Sequence, residues 1–238
     1  MSEHKLLCLL DVLGFENLLS REGLDNIKQK YEKLIGHVKE PRNGIDIAPT
    51  ANGHVAVGWL IIGSDYFSDT VLFWTDFNEI SLPSFTHQIS EAICFSIEIK
   101  LPLRGTLSVG DLVLDSETRT YLGNPLVEAA RTERNQQWIG VSFGTSFTTL
   151  DRKIGFHLDT VLPYKSHYKD RNMASATGMV VDWPRKWRET RKTDINKHIM
   201  ELDVDPAYSE YYQRTRAFID FSERNHEWYL RQSHLDHG

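Results

Sequence analysis

The chain has 238 residues, 40% apolar and 25% charged, with 15 glycines and 8 prolines, a composition that excludes a disordered chain and suits one elaborated domain or two small ones. Its two cysteines, Cys8 and Cys94, make neither a disulfide framework nor a zinc-ligand set, which points to a reducing compartment. A net charge of −6 argues against coating nucleic acid while permitting a local basic pocket, and no apolar run approaches the ~20 residues of a membrane helix.

Lys5 to Val12 is an almost continuous apolar run of strand length, suited to a strand covered on both faces, with Asp11 as its one internal charge. The segment ahead of it lacks a signal-peptide cleavage pattern, so a cytoplasmic protein is expected. Leu24, Ile27, Tyr31, Leu34 and Val38 recur at three- and four-residue steps and predict an amphipathic helix, followed by a Gly-, Pro- and Asn-rich loop. Val55 to Thr75 holds two β-rich halves around Ser68-Asp69, a predicted hairpin with its turn near Asp69. Phe85, Ile89, Ile93 and Ile97 mark a second helix, and Leu103 to Leu114 a strand broken by Gly105 and Gly110. Asn124-Pro125 reads as an Asn-capped helix start, the helix running to about Gln137. Trp138 to Phe143 is another strand, and the Asp159–Tyr164 and Gly178–Asp182 segments a late strand pair. Asp205-Pro206 opens a long helix with Tyr208, Tyr211, Tyr212, Phe218 and Ile219 on its apolar stripe.

This order predicts an α+β fold with a mainly antiparallel sheet and helices on one face, over residues 1–183, with a helical C-terminal appendage over residues 184–238. Asp11 at a strand end and Asp69 at a hairpin turn fit two different roles. Converging on Mg²⁺ or Mn²⁺, they would be stabilised by the cation; taken separately, they are a helix cap and a turn residue. Spacing does not choose between them.

Four segments, taken in order, resemble the class III nucleotidyl cyclase catalytic domain: LDVLGFENLLS (Leu10 to Ser20), FSDT (Phe67 to Thr70), LRGTLSVGDLV (Leu103 to Val113) and YLGNPLVEAARTE (Tyr121 to Glu133). The resemblance covers about residues 5 to 145 and implies the ferredoxin-like cyclase fold. It further implies two metal ions, Mn²⁺ or Mg²⁺, held by Asp11 and Asp69 with the Val12 carbonyl, and a phosphate site at Gly14, Phe15, Arg104 and Lys165, where Lys169 and Arg171 lie close enough to compete with Lys165. Arg131 falls at the transition-state Arg, but the Asn expected one turn earlier is Val127. The base-reading positions fall near Asp65, Phe67 and Thr120, and the Lys usual in purine cyclases is Asp65. That altered, aromatic pocket is similar to the pyrimidine cyclases of bacterial Pycsar anti-phage systems, which implies a nucleoside triphosphate substrate, UTP before CTP. It also implies a homodimer with shared active sites and a separate effector that senses the cyclic product, with neither nucleic acid nor membrane as partner. An adenylate or guanylate cyclase, and an inactive nucleotide-binding module, are the rival readings.

Three weaker signals have simpler explanations. Asp203-Val-Asp205 reads as acidic helix capping, Arg185 to Lys192 with Trp183 and Trp187 as a solvated basic helix with packed indoles, and His226, His234 and His237 as a polar tail.

Overall fold

The computed structural model describes residues 4–39, 46–49, 55–58, 60–78, 81–115, 117–118, 120–150, 160–164, 168–169, 178–202, 206–225 and 227–228. In chain order it contains β1 (His4–Val12), α1 (Phe15–Glu22), α2 (Leu24–Lys39), the short pair β2 (Asp46–Pro49) and β3 (Val55–Gly58), the hairpin β4 (Gly63–Phe67) and β5 (Thr70–Asp76), and α3 (Ser81–Glu98). Then come β6 (Leu103–Asp111), the pair β7 (Val113–Asp115) and β8 (Thr120–Leu122), α4 (Asn124–Asn135), β9 (Gly140–Phe143), β10 (Val161–Pro163), β11 (Met179–Val181), α5 (Trp183–Thr190), α6 (Ile195–Glu201) and α7 (Ser209–Arg224).

The apolar run at the start of the chain becomes an interior strand. Its antiparallel neighbours are β5 and β6, and the main sheet runs β10-β11-β9-β6-β1-β5-β4. Pairing is antiparallel except between β6 and β9, so the fold is mixed α+β with a large, mostly antiparallel sheet. Within it, β1, α1 with α2, β4, β5, α3 and β6 form a β-α-β-β-α-β unit of spatial order β6-β1-β5-β4.

Alternation along β1 divides its side chains between two cores. Leu6, Cys8, Leu10 and Val12 pack with Ile27, Tyr31, Leu34, Phe85, Ile89 and Ile93 of α2 and α3, whereas Leu7 and Leu9 pack with Leu72, Leu112 and Ala129, beside Leu126 and Ala130 of α4. The expectation of helices on one face is therefore corrected: α4 lies on the other face from α2 and α3. The physical reason is β1 itself, which is apolar on both faces and needs cover on both.

The short elements differ from expectation in three places. Val55–Gly58 pairs with β2 in a separate two-stranded sheet, and the arm of the hairpin is β4. Gly105 and Gly110 lie inside an unbroken β6. α4 is capped by Gly123, with no side-chain cap; at φ 153° a Cβ there would lie 2.5 Å from the Asp111 carbonyl oxygen, so glycine is required and Asn124 enters as the first helical residue.

The helices after β11 share the larger core. Trp183 and Trp187 are buried in it with Ile195, Ile199, Tyr211, Tyr212, Phe218 and Ile219, so the indoles are packed and unavailable for stacking on nucleic acid. Phe218 meets Trp138 edge-on at 4.5 Å between centroids, and Thr215 Oγ1 accepts a 2.9 Å hydrogen bond from Ile139 N–H. Cys8 and Cys94 are free and buried. Among the described residues no helix is long and apolar enough to cross a membrane.

Candidate functional site

Antiparallel pairing brings Asp11 and Asp69 together. Asp11 sits opposite Thr70 in the β1–β5 ladder, so the residue before Thr70 reaches the end of β1, where Val12 N–H donates to the Asp69 carbonyl at 3.0 Å. The tight Ser68-Asp69 turn places Ser68 at φ 53°, and Tyr31 Oη, from α2, donates to the Ser68 carbonyl at 2.9 Å. That bond anchors a turn whose backbone is otherwise disfavoured.

On the other side of β1, Asp11 sits opposite Arg104 of β6. The guanidinium lies 3.0–3.1 Å from Asp11 Oδ2 through Nη2 and Nε, donates from Nη1 to the Gln136 carbonyl at 2.8 Å, and brings Nε within 2.5 Å of Glu133 Oε1. Glu133, on α4, is only 4% exposed. Gln136, fully buried, completes the support: its side-chain amide donates to the Gly105 carbonyl at 2.6 Å and to Thr106 Oγ1 at 2.9 Å.

Burial raises the Asp11 carboxyl above its ordinary value, opposed by Arg104 and assisted by the charge of Asp69. Burial likewise pushes Glu133 up, to about 7, with Arg104 opposing and Asp11 adding to the rise. Burial works against the Arg104 charge, but Glu133 and Asp11 outweigh it and hold the guanidinium protonated. One cation thus serves two carboxyls, the part-buried Asp11 and the buried Glu133.

These groups line a cleft of about 570 Å³ with Val12, Leu13, Gly14, Phe15, Phe67, Leu126 and Tyr208. Gly14 is the left-handed N-cap of α1 (φ 70°) and has no side-chain cap, which leaves the first N–H groups of that helix without a side-chain acceptor at Gly14. Asp11 and Asp69 offer the oxygen donors that hard divalent cations take. Among the described residues no group of three or more His, Cys, Asp or Glu is placed to hold a metal ion; a cation here would use these two carboxylates with backbone or substrate oxygens, the arrangement usual for Mg²⁺ on phosphates.

Of the residues singled out in the sequence, Asp11, Val12, Gly14, Phe15, Phe67, Asp69 and Arg104 share this cleft, and Asp65, Thr120 and Arg131 are not part of its wall. Asp65 accepts from Tyr121 Oη and from Tyr66 N–H. Thr120 Oγ1 pairs with Thr118 Oγ1 at 2.9 Å. Arg131 is exposed on α4, one turn from the half-exposed Val127. Lys165 and Arg171 lie outside the described residues, as do Asp203, Asp205, His226, His234 and His237.

Sequence reasoning missed Glu133, Tyr121, Tyr208 and Tyr211. Glu133 had a signal: it continues the inward stripe of Leu126, Ala129 and Ala130 at three- and four-residue steps. A carboxylate at an inward helical position asks for a buried cation. Compared with family models and with curated proteins, the chain matches none.

Proposed function

We propose that this chain is a metal-dependent nucleotide cyclase of the class III type, converting UTP, or less readily CTP, into the 3',5'-cyclic monophosphate and pyrophosphate. The observation that carries this reading is the convergence of Asp11 and Asp69, far apart in sequence, on one cleft that also holds Arg104 and the glycine-capped start of α1. The β-α-β-β-α-β unit with β1 at its centre agrees with the ferredoxin-like core of that family.

In the reaction the 3'-hydroxyl oxygen bonds to the α-phosphorus, the bond from that phosphorus to the bridging oxygen breaks, and pyrophosphate leaves. The hydroxyl proton passes to solvent or phosphate. Divalent cations, when bound, supply charge that acidifies the hydroxyl and balances the phosphate oxygens. Asp11 and Asp69 are the residues that would hold them. Arg104 would offer its planar fork to the terminal phosphates, and Glu133 and the Gln136 carbonyl keep the fork in place. The N–H groups at the start of α1 receive further phosphate oxygens. Phe67 supplies an aromatic wall for a single-ring base.

Arg131 is exposed and is not part of the wall of its own cleft, so in this reading it serves the site of a second copy and the working form is a homodimer with shared sites. The product is a second messenger for antiviral defence, read by a separate effector. A nucleotide-binding module without turnover is the second reading, favoured by that same placement of Arg131. Incubating the purified protein with each of the four ribonucleoside triphosphates and Mn²⁺, and identifying any cyclic product by mass, separates the two. Cyclic UMP is expected; no cyclic product from any of the four would leave the binding module standing.

A further inference from the structure

Residues 206–224 lie beyond the stretch that resembles the cyclase family, yet one of them, Tyr208, reaches the cleft. Tyr208, in a 3-10 turn at Pro206–Tyr208 that leads into α7, lines it with Asp11, Asp69 and Arg104. Its ring edge stands over Gly14, where a Cβ would lie 3.6 Å from Tyr208 Cε2. The same ring borders a second cleft, of about 440 Å³, whose wall includes Arg21 and Lys100, so Tyr208, with Leu13, Gly14 and Asn17, lies between the two.

The ring is held from behind. It meets Tyr211 in an edge-to-face arrangement at 5.5 Å between centroids, and Tyr211 places its face 5.9 Å from the Arg104 guanidinium carbon. α7 is seated on the sheet through Thr215 and Phe218, and Ser222 Oγ donates to the buried Asp182 at 2.5 Å. A half-buried aromatic ring on a fixed element, lining the same cleft as Arg104 and the start of α1, is pre-organised for a ligand that carries both phosphate and an apolar face.

We propose that Tyr208 is a nucleotide-contacting residue of this site, its ring lying against the sugar or base of the bound nucleoside triphosphate. The C-terminal segment thereby becomes part of the binding machinery. This inference rests on the cyclase reading above. The ring face, and not the hydroxyl, makes the contact, so Tyr208→Phe preserves it and Tyr208→Ala removes it.

Binding is read by calorimetry in Mn²⁺ with the α,β-methylene analogues of the four ribonucleoside triphosphates, from which pyrophosphate cannot leave. For the analogue that wild type binds best, Tyr208→Ala weakens binding about tenfold, as loss of one stacking surface does, while Tyr208→Phe stays within about threefold of wild type. Because Tyr208 is half-exposed, both variants melt within about 2 °C of wild type. Wild-type affinity in Tyr208→Ala, or equal losses in both variants, would overturn the inference and leave the cyclase reading intact, since the wild-type product assay is scored separately. A wild type that binds none of the analogues and makes no cyclic product removes the reading and the inference together.

Discussion

Asp11 and Arg104 face each other across the β1–β6 ladder, and their side chains close a part-buried ion pair at 3.0 Å. Glu133 leans on the same guanidinium from α4. Removing the arginine strands two carboxyls with no cation, and breaking a buried pair from one side typically costs about 3–5 kcal/mol. Arg104→Ala is therefore expected to lose about 3 kcal/mol of stability in urea denaturation of the metal-free protein, and its turnover with it. A loss below about 1 kcal/mol would mean that water already carries these charges.

Asp69→Ala behaves differently. The contact of this turn with β1 runs through the Asp69 backbone carbonyl, which the substitution keeps, and the carboxylate adds unfavourably to the charge of Asp11. Metal-free stability is expected to hold or rise slightly. Turnover should fall at least about a hundredfold, the scale on which removing one electrostatic stabiliser of a transition state acts. A variant that cyclises at near wild-type rate excludes cation binding by this pair.

The position of Arg131 makes the proposed dimer testable. Asp69→Ala and Arg131→Ala are each expected to be inactive, and mixing them should recover part of the activity, because a heterodimer holds one site with both defects and one with neither. Differently tagged chains establish that subunits exchange. Exchange with no recovered activity excludes a shared site.

The raised carboxyl of Glu133 predicts a pH dependence. An ordinary Glu in the unfolded chain titrates near 4.5 and this one near 7 in the fold, so between those values the folded state holds more protons than the unfolded one. Stability of the metal-free protein then falls as pH rises through that window. Thermal melts from pH 4.5 to 8 should show the decline, and Glu133→Gln should flatten it. A slope that survives the substitution assigns the protons to another group.

Much of this site was readable from local pattern. An unbroken strand-length run ending in Asp11, and a hairpin whose turn holds Asp69, are period-two features, and antiparallel pairing of such strands does the rest. The cover on both faces of β1 was readable as well, and it conflicted with a one-sided arrangement of helices; the strand was the better guide. The C-terminal residues were not readable in the same way. Tyr208 and Tyr211 share the apolar stripe of a helix, and whether a stripe tyrosine ends in the core or at the edge of a cleft depends on where the helix docks. That docking is set by Thr215, Phe218 and their partners Ile139 and Trp138, just before β9, which no local spacing reveals. Asp65 shows a similar limit, since its partner Tyr121 is 56 residues away.

In the cyclase reading, base choice turns on Phe67, which is 50% exposed at the cleft and lies 6.4 Å from the Tyr121 ring, the two rings near parallel. The Tyr121 hydroxyl is also bonded to Asp65, so Tyr121 ties the two candidate base-reading residues together. One ring at the cleft wall, backed by a second, would favour a single-ring base and turn away a purine chiefly by size. Wild type is expected to prefer UTP, with CTP second. Phe67→Ala should lower pyrimidine turnover about tenfold, since stacking on one ring contributes roughly 1–3 kcal/mol, and should raise the ratio of purine to pyrimidine product. Tyr121→Phe keeps the stack but releases Asp65, so it should shift the UTP-to-CTP ratio while leaving purines excluded. Product ratios from equimolar mixtures of the four triphosphates measure all three proteins on one scale. A wild type that prefers ATP or GTP in that mixture replaces the pyrimidine reading with a purine cyclase whose base is read by residues other than Phe67.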